Sequence, residues 1–166
     1  MGKKAGKSEW RSGCPLNASV QMLGDQWSLL IIRDMMLRGS RTFTELLNSY
    51  EMIATNVLAN RLRRLEANGI LTREQDAKDR RKQIYRLTEK GIDLGPVLTE
   101  MVLWAAAHEQ TENAALVRKM RKDKKKFLAE IRQLWVEVAG RAGGKRVGSR
   151  RSSKHEERDS GRASGG

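Results

Sequence analysis

Asn56, Asn60 and Arg63 recur at the spacing of one helix face, with Thr55, Ala59 and Arg64 beside them. A side-chain amide can form a bidentate pair with adenine N6 and N7, and a guanidinium can do the same with guanine O6 and N7. A small alanine lets the backbone approach and can touch a thymine methyl. Leu58, Leu62 and Leu65 lie opposite at 100° per residue, as a helix seated on a core requires. The plainer alternative is a solvated helix face that happens to be polar. A second cluster, Lys78, Arg80, Arg81 and Lys82, puts four cations within five residues, suited to phosphate or minor-groove contact. Its alternative is a solvated charge run, tempered by Asp76 and Asp79, either of which could pair with a wing arginine.

Other chemistry has little to work with. His108 and His155 are the only histidines, and neither metal-ligand spacing, a nucleophile elbow nor a phosphate-cradling glycine loop is present, so no catalysis, metal or cofactor is expected. Cys14 is the only cysteine, which excludes a disulfide framework within the chain.

The elements that must position the two basic clusters follow from punctuation and periodicity. A helix fits Asn17 to Leu23, stopped by Gly24. Asp25 then caps a second helix from Gln26 to Arg38, whose Trp27, Leu30, Ile31 and Met35 share a face before Gly39. Thr42-Phe43-Thr44-Glu45 is a capping box for a short helix to about Ser49. The helix carrying Asn56 runs from about Thr55 to Asn68. Ile70 to Arg73 and Gln83 to Leu87 then suit strands, with Asp76 to Lys82 as a hairpin loop between them. Thr88 caps a long helix from Glu89 to His108, kinked at Pro96, whose stripe through Val97, Met101 and Trp104 has too few partners in so small a domain and points to a homodimer. A last helix fits Ala114 to Val138, with Val117, Met120, Phe127, Ile131, Leu134 and Val138 on a spacing interrupted by Lys124. It either folds back on its own subunit or meets another chain. The fold class is therefore mainly α with a small β-hairpin wing: a winged helix-turn-helix.

Among 166 residues, Lys and Arg number 33 against 20 Asp and Glu, a net charge of +13 that favours a polyanionic partner through counterion release. Residues 1–110 carry a net of +4 and residues 111–166 a net of +9. The expected organisation is a flexible basic tail over 1–12, a DNA-binding and dimerisation domain over 13–110, a basic helix over 111–139 and a disordered basic tail over 140–166. No apolar run approaches the roughly 18 residues of a membrane span and no secretory pattern follows Met1, so a cytoplasmic, nucleoid-associated protein without a membrane partner is expected.

Four segments carry a resemblance: Cys14-Pro15-Leu16; Leu23-Gly24-Asp25-Gln26-Trp27-Ser28 with its continuation to Asp34; Ile53 to Leu62; and Tyr85-Arg86-Leu87-Thr88-Glu89-Lys90-Gly91. In wording and order they resemble the HxlR-type winged helix regulators over about residues 14 to 110, with MarR-type regulators, which share the wing's Asp-Arg-Arg, as the related runner-up. The resemblance implies a dimer made by the first and last helices of the domain. It also implies double-stranded operator DNA held by the helix around Asn56 to Arg64 and the wing around Lys78 to Lys82, and control of transcription. Ala54 stands where that family has Ser, which moves the expected cap to Thr55. Some relatives in that family sense oxidants or electrophiles through a cysteine at the place of Cys14. The same thiol also fits a small apolar residue packing the helix start. A reading from another class stays beside this one: a winged helix used as a protein-interaction module, with a tail that holds nucleic acid nonspecifically.

Overall fold

Pro15 opens the first helix, α1 (Pro15–Leu23), because its fixed φ suits a first turn in which its missing N–H is not needed. The helix thus begins two residues before the expected Asn17, with Cys14 in extended conformation at the N-cap. The structure, a computed structural model, describes residues 11–77 and 79–142. Lys78, the tail beyond residue 142 and most of the expected N-terminal tail lie outside the described residues.

Asp25 is not the N-cap expected of it: α2 (Ser28–Arg33) begins later than Gln26, with Trp27 at the N-cap, and the Asp25 carboxylate instead accepts the N–H groups of Trp27 and Ser28 at 2.9 Å each in the turn before it. Its second half departs from the expected regular helix. Asp34–Arg38 winds as a π-helical turn, ended by Gly39 at φ +71, a backbone conformation that costs glycine nothing. The capping box forms as read: Glu45 N–H donates to the Thr42 hydroxyl at 3.2 Å and Thr42 N–H to the Glu45 carboxylate at 2.9 Å. It starts α3 (Phe43–Leu47), two residues shorter than expected. α4 (Thr55–Ala67) follows, with Ala54, not Thr55, at the N-cap and no side chain capping it.

The hairpin pairs β1 (Leu71–Gln75) with β2 (Gln83–Leu87) antiparallel, Leu71 opposite Leu87 and Gln75 opposite Gln83. Tyr85 N–H also donates to the Arg41 carbonyl at 2.7 Å, so the chain before α3 lies along the free edge of β2. One face of the hairpin carries the buried Leu71, Tyr85 and Leu87 and its other face carries Thr72, Glu74 and Arg86, because side chains alternate along a strand.

The single long helix expected from Glu89 to His108 is two: α5 (Glu89–Ile92), capped by the Thr88 hydroxyl, and α6 (Gly95–His108). Pro96 sits in the first turn of α6, where proline is tolerated, so the chain breaks before it instead of kinking at it. The last expected helix also divides, into α7 (Ala114–Lys122) and α8 (Lys124–Ala142). The extended backbone of Asp123, at φ −157° and ψ 87°, separates them, and its carboxylate accepts the N–H of Lys126 at 2.8 Å.

The two halves fold back on their own chain. Val117, Met120, Phe127 and Ile131 are buried as the spacing requires, the last three within the same core as Ile32, Leu46, Leu58, Leu62, Leu65, Ile70 and Leu71. Among the residues of that stripe whose burial is described, Leu134 is the exception, exposed at 60%. Asn113, in the left-handed region at φ +67, turns the chain into α7. Arg132 of α8 bonds Asp93 at 2.6 Å and Glu89 at 2.8 Å, and the Trp135 indole N–H donates to the Leu87 carbonyl at 2.9 Å. The extension is therefore part of the domain's packing. Phe127→Ala, at a site 5% exposed, is expected to cost about 3–5 kcal/mol of unfolding free energy in a urea titration, whereas Leu134→Ala should stay within about 0.5 kcal/mol.

Candidate nucleic-acid interface

The helix whose faces the sequence divides is α4, and its placement depends on what holds its back. Leu58, Leu62 and Leu65 are buried to 2% exposure or less. Arg61 turns inward beside them, its Nε 3.3 Å from Asp25 Oδ1 as an ion pair. Asp25 thus serves two elements, starting α2 and anchoring α4. Burial pushes its pKa up, but hydrogen bonds from the Ser28 hydroxyl and the Trp27 and Ser28 N–H groups, with Arg61 nearby, outweigh that and hold the carboxyl below its ordinary value. Arg64 donates to the Gln21 carbonyl near the end of α1. The sequence reading places Arg64 with the base-contacting side chains; here it also ties α4 to α1.

Thr55, Asn56, Asn60 and Arg63 are exposed along the outer face of α4, and Ala59 between them is half-buried. Asn56 Oδ1 accepts the N–H of Val57 at 2.9 Å, and Arg63 Nε donates to the Ala59 carbonyl one turn back at 3.3 Å. Both side chains lie along the helix. Neither is buried or ion-paired among the described residues, so each is free to swing outward.

The hairpin tip is ordered by Asp79. Its N–H donates to Asp76 Oδ1 at 3.0 Å, its carbonyl accepts from Lys82 N–H at 2.9 Å, and its carboxylate accepts from Arg81 N–H at 3.1 Å and Arg81 Nε at 3.4 Å. Asp79 thus holds a wing arginine, as one of the two acidic candidates. Arg80 and Lys82 are exposed, and the Arg81 side chain stays open to solvent despite its pairing. The expected wing residue Lys78 lies outside the described residues.

A residue set that periodicity does not reveal fixes the turn before α4. Arg33 Nη1 and Nη2 reach the two oxygens of Glu51 at 2.6 and 2.8 Å, Nη2 also reaches Asp34 Oδ1 at 2.8 Å, and the Ser49 hydroxyl donates to Glu51 at 2.6 Å. The hydrogen bonds from Arg33 hold the Glu51 carboxyl at about 2, well below its ordinary 4.5. Their only trace in the sequence is a set of charged residues, Arg33-Asp34 and Glu51, next to strongly apolar segments. Cys14 is exposed. Val97, Met101 and Trp104 point outward from α6, and Leu16 and Val20 from α1. No group of three or more His, Cys, Asp or Glu able to hold a metal is found among the described residues. None of their helices is long and apolar enough to cross a membrane.

Helices α1 to α4 followed by a two-stranded hairpin with a cationic tip, the last of those helices anchored inward and polar outward, define a winged helix-turn-helix protein. Residues 22–113 match the profile of the family described as HxlR-like helix-turn-helix, and the chain belongs to that family. The HTH-type transcriptional regulator YodB of Bacillus subtilis (strain 168) is 39% identical over 93 residues, 55% of this chain and 82% of YodB. The reduced form of YodB superposes with a TM-score of 0.50 at 36% identity, over 61% of this chain and all of that one. The oxidised form of a protein described as the redox regulator HypR superposes at 0.52 and 28% identity, over 59% of this chain and all of HypR. The protein is thus a transcriptional regulator with a helix-turn-helix DNA-binding domain.

Glu51 gives the site a measurable pH response. Its folded pKa is depressed, so the stability it contributes is fully present above the unfolded value near 4.5 and is lost as pH falls toward about 2. In thermal melts the gap between wild type and Glu51→Gln should be widest above about pH 5 and should close on acidification toward pH 2.

Proposed function

We propose that the protein binds a double-stranded operator as a homodimer, α4 in the major groove and the hairpin tip on the flanking phosphates. The observation that carries this is the division of α4: three leucines at 2% exposure or less on one side, and Asn56, Asn60 and Arg63 open on the other. A protein-docking face would instead present aromatic or aliphatic anchors. Tyr50 and Met52 are such residues, but they sit in the turn before α4 and not on its outer face. In this reading Asn60 and Arg63 read base edges, Thr55, Asn56 and Arg64 support them, and Ala59 leaves room for the backbone. Arg80, Arg81 and Lys82 grip the phosphates, with Lys78 beside them.

The dimer reading rests on apolar side chains open on two helices that the resemblance pairs across the two-fold axis: Leu16 and Val20 on α1, and Val97, Met101 and Trp104 on α6. Two half-sites about one helical turn apart, or a multiple of it, then match the protein's symmetry.

Asn60→Ala should lower affinity for the preferred operator by about 1–3 kcal/mol and change binding to random duplex little, since a bidentate pair to one adenine is lost. Arg80→Ala should weaken both duplexes similarly and reduce the slope of log K against log salt by roughly 0.9. Fluorescence anisotropy on both DNAs at several salt concentrations separates the two. An equal loss on both DNAs from Asn60→Ala would remove α4 as the base reader.

A second reading concerns the thiol. Cys14 is exposed beside α1, and HypR, whose fold this chain shares, is described as a redox regulator. The Cys14 thiols of two subunits would join as one disulfide while diamide takes up the two electrons and two protons released. Diamide is expected to shift wild type to a covalent dimer on a non-reducing gel and to change its operator affinity, with Cys14→Ser unresponsive in both assays. If the operator affinity of Cys14→Ser responds as that of wild type does, the thiol is not the sensor.

A further inference from the structure

A cavity of about 580 Å³ opens between three parts of the molecule: the π-helical turn and the segment after it, the outer face of the hairpin, and α8. Its size suits a small organic ligand. Met35, Leu37, Leu134 and Trp135 give it apolar walls, while three arginines, Arg38, Arg41 and Arg86, and one carboxylate, Glu74, contribute its charges. Its α8 wall lies beyond residue 113, where the family match ends, so the pocket in this form depends on a segment outside that match.

The charges in this cavity are not balanced. Arg38 is paired with Asp34 at 3.3 Å, and Arg86 with Glu74, its Nε 2.6 Å from Oε1 across the hairpin. Arg41 forms no side-chain hydrogen bond or ion pair among those found for the described residues, although it is half-buried. Glu45, whose charge acts on it, is engaged by the backbone N–H groups of Arg41 and Thr42 at 2.7 and 2.9 Å. Burial lowers the Arg41 pKa, and the neighbouring Arg86 lowers it further, against an opposing pull from Glu45. A desolvated guanidinium beside a second cation, in an apolar cleft, is stabilised by an anion that brings its own apolar body.

We propose that this cavity binds a small aromatic carboxylate or comparable aryl anion, its negative group on Arg41 and its ring against Leu134 and Trp135. Charge assistance and planar geometry make guanidinium a suitable partner for a carboxylate, and the indole offers a face for stacking. The position of the cavity gives the ligand a route to the DNA-binding elements. Thr72, Glu74 and Arg86 belong to the wing, and the segment through Arg41 leads directly into α3. A ligand bridging these to α8 fixes the wing relative to α4 and so changes operator affinity. This last step rests on the operator-binding reading; the binding site itself does not.

The test is isothermal titration calorimetry of the full chain, without DNA, using 2-naphthoate and its neutral analogue 2-naphthalenemethanol as probes. Wild type should bind naphthoate at least roughly tenfold more tightly than the alcohol, the scale of one charge-assisted pair. Arg41→Met should bring the two probes to similar affinity. Leu134→Asp, a change at an exposed position that leaves the core intact, should weaken naphthoate by a comparable factor through like-charge repulsion. Circular dichroism melts confirm that both variants are folded. No saturable binding of naphthoate to wild type, no preference over the alcohol, or naphthoate affinity unchanged in Leu134→Asp would each overturn the site. Operator affinity measured with and without saturating naphthoate then tests the coupling alone: a shift in wild type that is absent in Leu134→Asp supports it, and an unchanged affinity overturns it.

Discussion

Asp34 is a carboxylate at 2% exposure in the middle of the helix around which the domain is assembled, and a buried charge must be matched or the fold does not hold. Arg33 matches it at 2.8 Å and Arg38 at 3.3 Å, the first from the preceding residue and the second one turn on. Arg33 does not stop there, because its second nitrogen reaches Glu51, and through Glu51 the hydroxyl of Ser49. The charge that α2 must neutralise is thereby used to place the turn in front of α4. Met52, held at φ +52 within that turn, is a non-glycine residue in a sparsely populated region. Such a conformation persists where its surroundings determine it, and the Arg33 network is the adjacent constraint.

The same economy recurs on the other side of α4. Asp25 orders the start of α2 through Oδ1, which accepts two backbone N–H groups, and receives Arg61 from α4, while Arg64 reaches the Gln21 carbonyl of α1. The buried leucines, Arg61 and Arg64 thus locate α4 from its inward and flanking positions. Its outer face is left with side chains that have only local bonds, and supporting bonds behind a rigid helix are what a precise binding surface requires.

Much of this was legible in the residues. The capping box at Thr42 and Glu45, the left-handed glycines at 39 and 69, the register of leucines in α4 and the hairpin all have short-range causes that a sequence displays. What escaped was decided at longer range. Nothing near Asp34 in the sequence indicates a π turn, and a 3-4 spacing from Val117 to Ile131 fits one helix as well as two. Only the Asp123 break, which lets both halves lie on the core, separates the alternatives. Pro96 carried the right signal with the wrong consequence, since proline starts a helix as readily as it bends one. For the candidate site, the division of α4 was readable, whereas nothing in the sequence pairs Arg61 with Asp25 across 36 positions. The Arg41 cavity was beyond reach, because its walls come from segments nearly a hundred residues apart.

The way α7 and α8 fold back also sets an order of events during synthesis. Met120, Phe127 and Ile131 complete a core whose other members are supplied by residues 23–92, so the winged domain emerges from the ribosome with an apolar face not yet closed. At about 5–20 residues per second, that face waits on the order of seconds for residues 114–142 to be added. During that interval the nascent chain exposes surface that chaperones recognise and that neighbouring chains on the same messenger can meet. A stop or frameshift within α7 would make the exposure permanent. The helix-turn-helix elements would all be present in such a product, yet it would be a substrate for quality control before it could act as a regulator.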